Sequence, residues 1–292
     1  MIWTIITAWK EPKTIGKAIE RLQEQKIKDQ KIIVVCPDEE TKKEALKYPI
    51  IYLKDPGKGK PTALNTAFNY IKKKGKKEDF IILTDGDIFI NKESLPFLLK
   101  PFEDKKIGAV TGRPLALEDK STLFGFWANI QNDAWHNIRE KRAKEKKFIF
   151  CSGYLFAIRF ECMEEIPADC LDDGYISRRI WDKGYHITYA PKAEVFIKNP
   201  ATLKDWIKQK RRNAFGHTNI KKHLGKGQEM KSLKEEIFQG TKLILLSPRN
   251  PHQMIWVLFL FMMRLYTWVI SFYDQIKKKG VMEVWKRIES TK

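Results

Sequence analysis

The chain has little cysteine: four residues in 292, Cys36, Cys151, Cys162 and Cys170, with no CxxC pair and no histidine at zinc-ligand spacing. That pattern suggests neither a disulfide framework nor a structural zinc site, and a reducing compartment fits best. The opening MIWTIITAWKEPK has no basic n-region, no small-residue cleavage site and too short an apolar run for a secretory leader, so the expectation is a chain that stays in the cytosol. Glycine (16) and proline (13) keep near ordinary usage, which excludes low-complexity architectures. Acidic residues are the minority, 36 against 55 Lys plus Arg, for a net charge of +19. Such an excess favours an anionic partner, whether nucleic acid, an acidic membrane surface or a phosphorylated substrate, and names no fold.

What is present is a globular composition, 43% hydrophobic and 12% aromatic, long enough for one large or two small domains. Ile2 to Thr7 is a short, β-branched, continuously apolar run of the kind a buried parallel strand shows. Pro12 suits a first helical turn, and Ile15, Ile19 and Leu22 then form one apolar stripe. The same alternation continues through a strand at Lys31 to Cys36, a short helix around Ala45 and Leu46, and a strand at Ile50 to Leu53. A helical stripe at Leu64, Ala67, Phe68 and Ile71 leads to a strand at Phe80 to Thr84. Alternating strands and helices predict an α/β fold with a mostly parallel sheet and ligands beyond the strand carboxyl ends. Further on the pattern is mixed, with strands expected at 107–111 and 148–158 around a helix from Thr122 to about Lys147.

The C-terminal quarter differs in kind. Met254 to Tyr273 is twenty residues with one charge, the length of a membrane-spanning helix, and Asn250-Pro251 suits its start. Arg264, Thr267, Ser271, Asp274 and Lys278 recur at steps of three and four and so share one face, which makes the helix amphipathic. Arg249 precedes it and Lys277, Lys278 and Lys279 follow it, so no orientation is favoured. Three placements stay open: in the membrane interface, across the membrane, or within a core.

Several constellations carry chemistry. Asp85-Gly86-Asp87 follows the strand FIILT, and two carboxylates one small residue apart suit a hard cation such as Mg2+ or Mn2+. The loop Gly57-Lys58-Gly59-Lys60 leads into a helix and can bring amides and ammonium groups to a phosphate, although it lacks the P-loop spacing. Asp172-Asp173 precedes an amphipathic stretch and reads as acids at a helix N-terminus or as a general base. Gln209-Lys210-Arg211-Arg212 is a basic cluster, within a stretch from Lys198 to Ser232 that holds ten Lys or Arg against two acids. Polybasic stretches beside an apolar helix are drawn to anionic lipid headgroups.

In this order the segments resemble the family 2 glycosyltransferases of the GT-A fold, in the membrane-associated branch related to polysaccharide synthases. The resemblance covers roughly residues 2 to 215. Thr7-Ala8-Trp9-Lys10-Glu11 is similar to the family's first strand end, which implies nucleotide contacts from Ala8, Trp9 and Glu11. Asp38 stands near the aspartate that reads the base, without the usual second aspartate. Gly59-Lys60 to Ala63-Leu64-Asn65 resembles GKxxALN, implying that Lys60 and Asn65 serve the nucleotide-sugar. Asp85 and Asp87 match DxD, with Asp87 as the direct metal ligand. Cys151-Ser152-Gly153 with Ala157 and Arg159 resembles the floor of the acceptor pocket, through Ser152 and Gly153. Asp172-Asp173 matches the Glu-Asp pair, which makes Asp173 the expected base. Gln209 and Arg212 match QxxRW, but Asn213 replaces the tryptophan, a departure that argues against processive polymerisation.

The resemblance thus implies a GT-A, Rossmann-like mixed sheet flanked by helices, with residues 1–215 as the transferase domain (1–100 for the nucleotide-sugar, 101–215 for the acceptor) and 216–292 as a basic, membrane-associated helical region. It implies inverting, metal-dependent transfer from a UDP- or GDP-sugar to a hydroxyl or lipid-phosphate acceptor in cell-surface glycan synthesis, with Mg2+ or Mn2+ as cofactor. The expected partners are the donor, a glycan or lipid-linked acceptor and an anionic membrane surface at its cytoplasmic side, and not nucleic acid. The alternatives are a polyprenyl-phosphate sugar transferase, a basic nucleic-acid-binding protein and an inactive membrane scaffold.

Overall fold

The structure, a computed structural model, describes residues 1–228, 230, 250–277 and 288–291. The chain divides into two units, Met1–Leu115 with Arg139–Ile197 and Ala116–Ile138 with Lys198–Lys292. The boundary expected at residue 215 falls inside a helix of the second unit, Leu203–Leu224.

The first unit is built on a mixed sheet. Its strands are β1 (Ile2–Thr7), β2 (Gln30–Cys36), β3 (Ile51–Lys54), β4 (Phe80–Asp85), β5 (Phe89–Ile90), β6 (Ile107–Ala116), β7 (Leu155–Arg159) and β8 (His186–Ile197). They stand in the order β3-β2-β1-β4-β7-β6-β8-β5. β3, β2, β1 and β4 are mutually parallel, whereas β7 runs antiparallel to β4 and β6, and β5 antiparallel to β8. The continuous apolar runs of β1 and β2 are buried on both faces, as strands of a covered parallel sheet must be. The intervening helices are α1 (Ile15–Gln23), α2 (Glu39–Ala45), α3 (Lys60–Lys74) and α4 (Ser94–Leu99). α1 lays Ile15, Ala18, Ile19 and Leu22 into the core, where each large aliphatic side chain contributes about 1.5–3 kcal/mol on burial.

α5 (Leu123–Lys144) divides between the two units at Arg139, and α6 (Asp172–Asp182) belongs to the first. β1, β2 and β4 end within a residue or two of the expected positions. The expected strand over 148–158 is only Leu155–Arg159, because the amides of Cys151, Ser152 and Gly153 donate to side chains instead of a neighbouring strand.

The second unit holds part of α5 together with α7 (Leu203–Leu224) and α8 (Pro251–Ile276). Its core gathers Phe126, Trp127, Trp206 and Val257, and the Trp127 indole donates to the Trp256 carbonyl at 2.8 Å. The polar residues of α8 do share one face, and that face turns inward: Thr267, Ser271 and Asp274 are buried. The Arg211 guanidinium on α7 grips the Asp274 carboxylate through two nitrogens, one at 2.6 Å from Oδ1. The apolar face points outward, with Ile255, Met262, Val269, Phe272 and Ile276 each more than 60% exposed. Among the described residues α8 is therefore not a core helix, and it is long and apolar enough to cross a membrane. Arg249, Lys278, Lys279, Lys231 and Ser232 lie outside the described residues.

Candidate active site

The strand ends gather the chemistry. β1 and β4 pair in parallel and finish together, so Thr7 and Asp85 are register partners and the Thr7 hydroxyl donates to Asp85 Oδ1 at 2.9 Å. Beyond β1, Ala8 is buried and Trp9 is 49% exposed, while Lys10 adopts a left-handed φ of 54°. Asp38 stabilises that turn. It caps α2 by accepting from the Thr41 amide at 3.0 Å, and it accepts from the Lys10 amide at 2.8 Å. Burial alone would raise the Asp38 pKa, but these bonds prevail and hold it below the ordinary range. Glu11 is buried, and its backbone amide donates to the Thr41 hydroxyl at 2.8 Å.

Gly86 sits between the two carboxylates of the DxD and is itself buried. A Cβ there would lie 2.5 Å from Glu11 Oε2 and 2.8 Å from Ala8 Cβ, so only glycine lets the turn after β4 approach the Ala8–Glu11 loop. Asp85 and Asp87 are half-buried and offer only carboxylate oxygen, the donor type Mg2+ and Mn2+ prefer, so the residues fit such an ion. Asp85 Oδ1 faces both the Thr7 hydroxyl and the Lys60 ammonium.

Lys60 opens α3, just past Gly59, whose φ of 102° suits glycine alone. Its ammonium lies 2.7 Å from Asp85 Oδ1 and 3.4 Å from Asp172 Oδ2, and it donates to the Gly153 carbonyl at 3.2 Å. Burial would depress the Lys60 pKa, but Asp172 and Asp85 outweigh it and hold the ammonium well above the ordinary lysine range. Asp172 and Asp173 form the first turn of α6, where the helix dipole favours negative charge. Burial pushes the Asp172 carboxyl up to about 6, with Lys60 opposing and Asp173 adding to the rise. Asp172 Oδ2 is buried with no hydrogen-bond partner, so it faces Lys60 through the longer ion pair alone. Asp173 Oδ2 accepts from the Gly153 amide at 3.1 Å, and its Oδ1 from the Gly174 amide at 2.7 Å.

The structure therefore brings Lys60, Asp85, Asp172, Asp173 and Gly153 into one connected group. Ser152 is buried beside them, with its amide on the Thr111 hydroxyl. Asn65 is held elsewhere, exchanging two hydrogen bonds with the Ile166 backbone at 2.8 and 2.9 Å, which clamps the segment before α6. Gln209 and Arg212 lie on α7 in the second unit. Burial pushes the thiols of Cys36, Cys151 and Cys162 up to about 12, which removes them as nucleophiles.

Sequence reasoning did not single out Asp55. It follows β3, is buried, accepts from the Gly57 amide at 2.8 Å and has its pKa raised by that burial. A carboxylate that follows a strand and precedes the glycine-lysine loop was the available signal.

The family described as "Glycosyltransferase like family 2" matches residues 2–216. The chain belongs to this family. Among the family's curated relatives, the chain is 30% identical to the probable glycosyltransferase YdaM of Bacillus subtilis, over 56% of its own length and 39% of that protein. It is 23% identical to the poly-beta-1,6-N-acetyl-D-glucosamine synthase of Staphylococcus aureus, over 73% of its length and 53% of that protein. The chain thus spans about half the length, or less, of these relatives. Its fold matches glucosyl-3-phosphoglycerate synthase of Mycobacterium tuberculosis, solved with Mn2+, UDP-Glc and glycerol 3-phosphate. The TM-score is 0.54 at 13% identity, covering 78% of this chain and 82% of that one. The mixed sheet of this glycosyltransferase family member is therefore a GT-A fold.

Proposed function

We propose that this family 2 member is an inverting, metal-dependent glycosyltransferase. It moves a sugar from a UDP- or GDP-linked donor to a hydroxyl or lipid-phosphate acceptor, at the cytoplasmic face of a membrane and in cell-surface glycan synthesis. The observation that carries this reading is the chain of contacts Asp85, Lys60, Gly153, Asp173, which ties a carboxylate suited to a metal-bound diphosphate to a carboxylate suited to acceptor activation. In it, 1–215 is the transferase domain and 216–292 the membrane-associated region.

Asp87 and Asp85 would hold Mg2+ or Mn2+, which when bound neutralises the donor diphosphate as a Lewis acid. The neighbour solved with Mn2+ and UDP-Glc supports that choice. Lys60, held cationic between Asp172 and Asp85, adds positive charge where the leaving diphosphate gathers negative charge. Ala8, Trp9, Glu11 and Asp38 shape the base and ribose end, Asp55 joins them as a buried carboxyl, and Asn65 acts through its clamp on Ile166. Gln209 and Arg212 are assigned to the donor phosphates. Asp173 takes the proton from the acceptor hydroxyl as that oxygen attacks the anomeric carbon opposite the leaving group, which inverts the configuration in one displacement. Asp172 stands beside it with its pKa raised, and Ser152 and Gly153 floor the acceptor side.

The outward apolar face of α8 supports an acceptor met at a membrane. A water-facing helix would present Thr267, Ser271 and Asp274 outward, and here they are buried. An anionic lipid surface, not nucleic acid, is the partner this helix and the basic stretch beside it suit. The test is Asp173→Asn: sugar transfer is expected to vanish while nucleoside diphosphate with Mn2+ still binds, and equal loss of both would count against Asp173 as the base.

A further inference from the structure

Three successive backbone amides in the segment between α5 and β7 donate to side-chain oxygens from distant parts of the chain. Cys151 N–H donates to Ser177 Oγ at 2.9 Å, Ser152 N–H to Thr111 Oγ1 at 2.8 Å and Gly153 N–H to Asp173 Oδ2 at 3.1 Å. The carbonyls around them are held in the same manner. Phe148 accepts from Arg142 Nε at 2.7 Å, Gly153 from Lys60 Nζ at 3.2 Å, and Tyr154 from the Thr84 hydroxyl at 2.9 Å. Thr111 and Ser177 are both fully buried, and Ser177 Oγ also donates to the Asp173 carbonyl at 2.6 Å, which ties the segment to the first turn of α6. A strand at this place would have used ladder bonds and left Asp173 and Lys60 without these partners.

We infer that Thr111 and Ser177 are positioning residues for sugar transfer, acting through the Cys151–Gly153 tripeptide on Asp173 and Lys60. This rests on the glycosyltransferase reading above. The Ser152 carbonyl and the Gly153 N–H lie in one planar peptide unit, and that carbonyl accepts from the Leu155 amide at 3.2 Å, so with the Ser152 amide held by Thr111 the peptide planes on both sides of Ser152 are anchored and the direction of the Gly153 N–H is set. That N–H occupies one lone pair of Asp173 Oδ2 and so sets the direction in which the remaining lone pairs face an acceptor hydroxyl. The carbonyl of the same glycine anchors the Lys60 ammonium, so one residue aligns the proton acceptor and the charge that assists departure. Neither Thr111 nor Ser177 needs to touch substrate for this.

The test uses an isosteric pair on the full chain. Thr111→Val keeps the shape and removes the acceptor of the Ser152 amide, and Thr111→Ser keeps the acceptor. Amide hydrogen exchange at Ser152 and Gly153 reads the suspension directly. Titration with UDP or GDP plus Mn2+, whichever the wild type binds, reads the donor side, and nucleoside diphosphate release from the sugar nucleotide the wild type consumes reads turnover. Thr111→Val is expected to lower kcat on the order of tenfold while nucleotide affinity and donor KM stay within about twofold, because the loss is one of orientation. Exchange at Gly153 should quicken, and Thr111→Ser should restore most of kcat. Ser177→Ala, which leaves only a small void, should repeat the kcat loss if the valine variant folds poorly. Wild-type kcat in Thr111→Val and Ser177→Ala overturns the inference, as does joint loss of kcat and nucleotide affinity that serine fails to restore. Failure of the underlying reading looks different: Asp173→Asn then turns over as wild type does, or the wild type releases no nucleoside diphosphate, while the exchange measurement still decides the suspension.

Discussion

A methyl group added at residue 153 probes the acceptor side with little else disturbed. Gly153 has no positive φ, so alanine there meets no backbone strain. Its Cβ would lie 3.2 Å from Asp173 Oδ2 and 3.5 Å from Asp173 Cγ, with no other protein atom nearer. The contact is tight by a few tenths of an ångström, and the Asp173 side chain must give way. A misplacement of about 1 Å costs on the order of a hundredfold in rate, so a shift of a few tenths should lower kcat by roughly three- to tenfold. The destabilisation should stay below about 1 kcal/mol, since the overpacking is slight. Gly86→Ala supplies the contrast, because its Cβ would strike Glu11 and Ala8 at 2.5 and 2.8 Å and so displace the loop assigned to the nucleotide. Steady-state kinetics should therefore show a kcat defect for Gly153→Ala and a donor KM defect for Gly86→Ala. A raised donor KM with wild-type kcat in Gly153→Ala would refute the assignment of Asp173 to proton transfer.

Three further outcomes follow from the same contacts. Asp172, raised by burial from the ordinary aspartate range to about 6, keeps a proton in the folded chain that the unfolded chain has released, so stability should fall as pH rises from about 4 to about 6. The fall is at most about 3 kcal/mol; urea unfolding at the two ends of that window checks it, and the same slope in Asp172→Asn would contradict it. Arg211→Ala removes the guanidinium from the buried Asp274 carboxylate and should destabilise the chain by about 3 kcal/mol in a detergent-held thermal melt, the low end for a broken buried pair because Arg211 is partly exposed. Val269→Lys together with Phe272→Lys should abolish flotation with anionic vesicles, whereas undiminished flotation would remove α8 from the membrane.

The parallel half of the fold was legible because its strands are continuous apolar runs. Ile2 to Thr7 and Phe80 to Thr84 must be covered on both faces, and they are. The 148–158 segment misled for the opposite reason. Phe148-Ile149-Phe150 looks like a strand, but the Phe148 and Phe150 carbonyls accept from Arg142 and Arg139, and the next two amides go to the hydroxyls of Ser177 and Thr111, partners silent in local periodicity. β8 carries Pro191 in its middle and escaped notice, since its pairing rather than its pattern makes it a strand. Among the site residues, the ordered motifs pointed to Lys60, Asp85 and the Asp172-Asp173 pair, and the structure joins them. That Lys60 reaches both acid sets was not legible, nor was the bond of Gly153 to Asp173. α8 showed its polar face in sequence, but the direction of that face depends on Arg211, 63 residues away.

The most direct measurement is a donor screen on purified, detergent-stabilised protein with Mg2+ or Mn2+, scoring free nucleoside diphosphate from UDP- and GDP-sugars for wild type and Asp87→Ala. Metal-dependent release by the wild type from one class of donor, and none by the variant, is the expected result. Release that Asp87→Ala leaves intact, or a wild type that neither binds nor cleaves any sugar nucleotide in the presence of either metal, would contradict it.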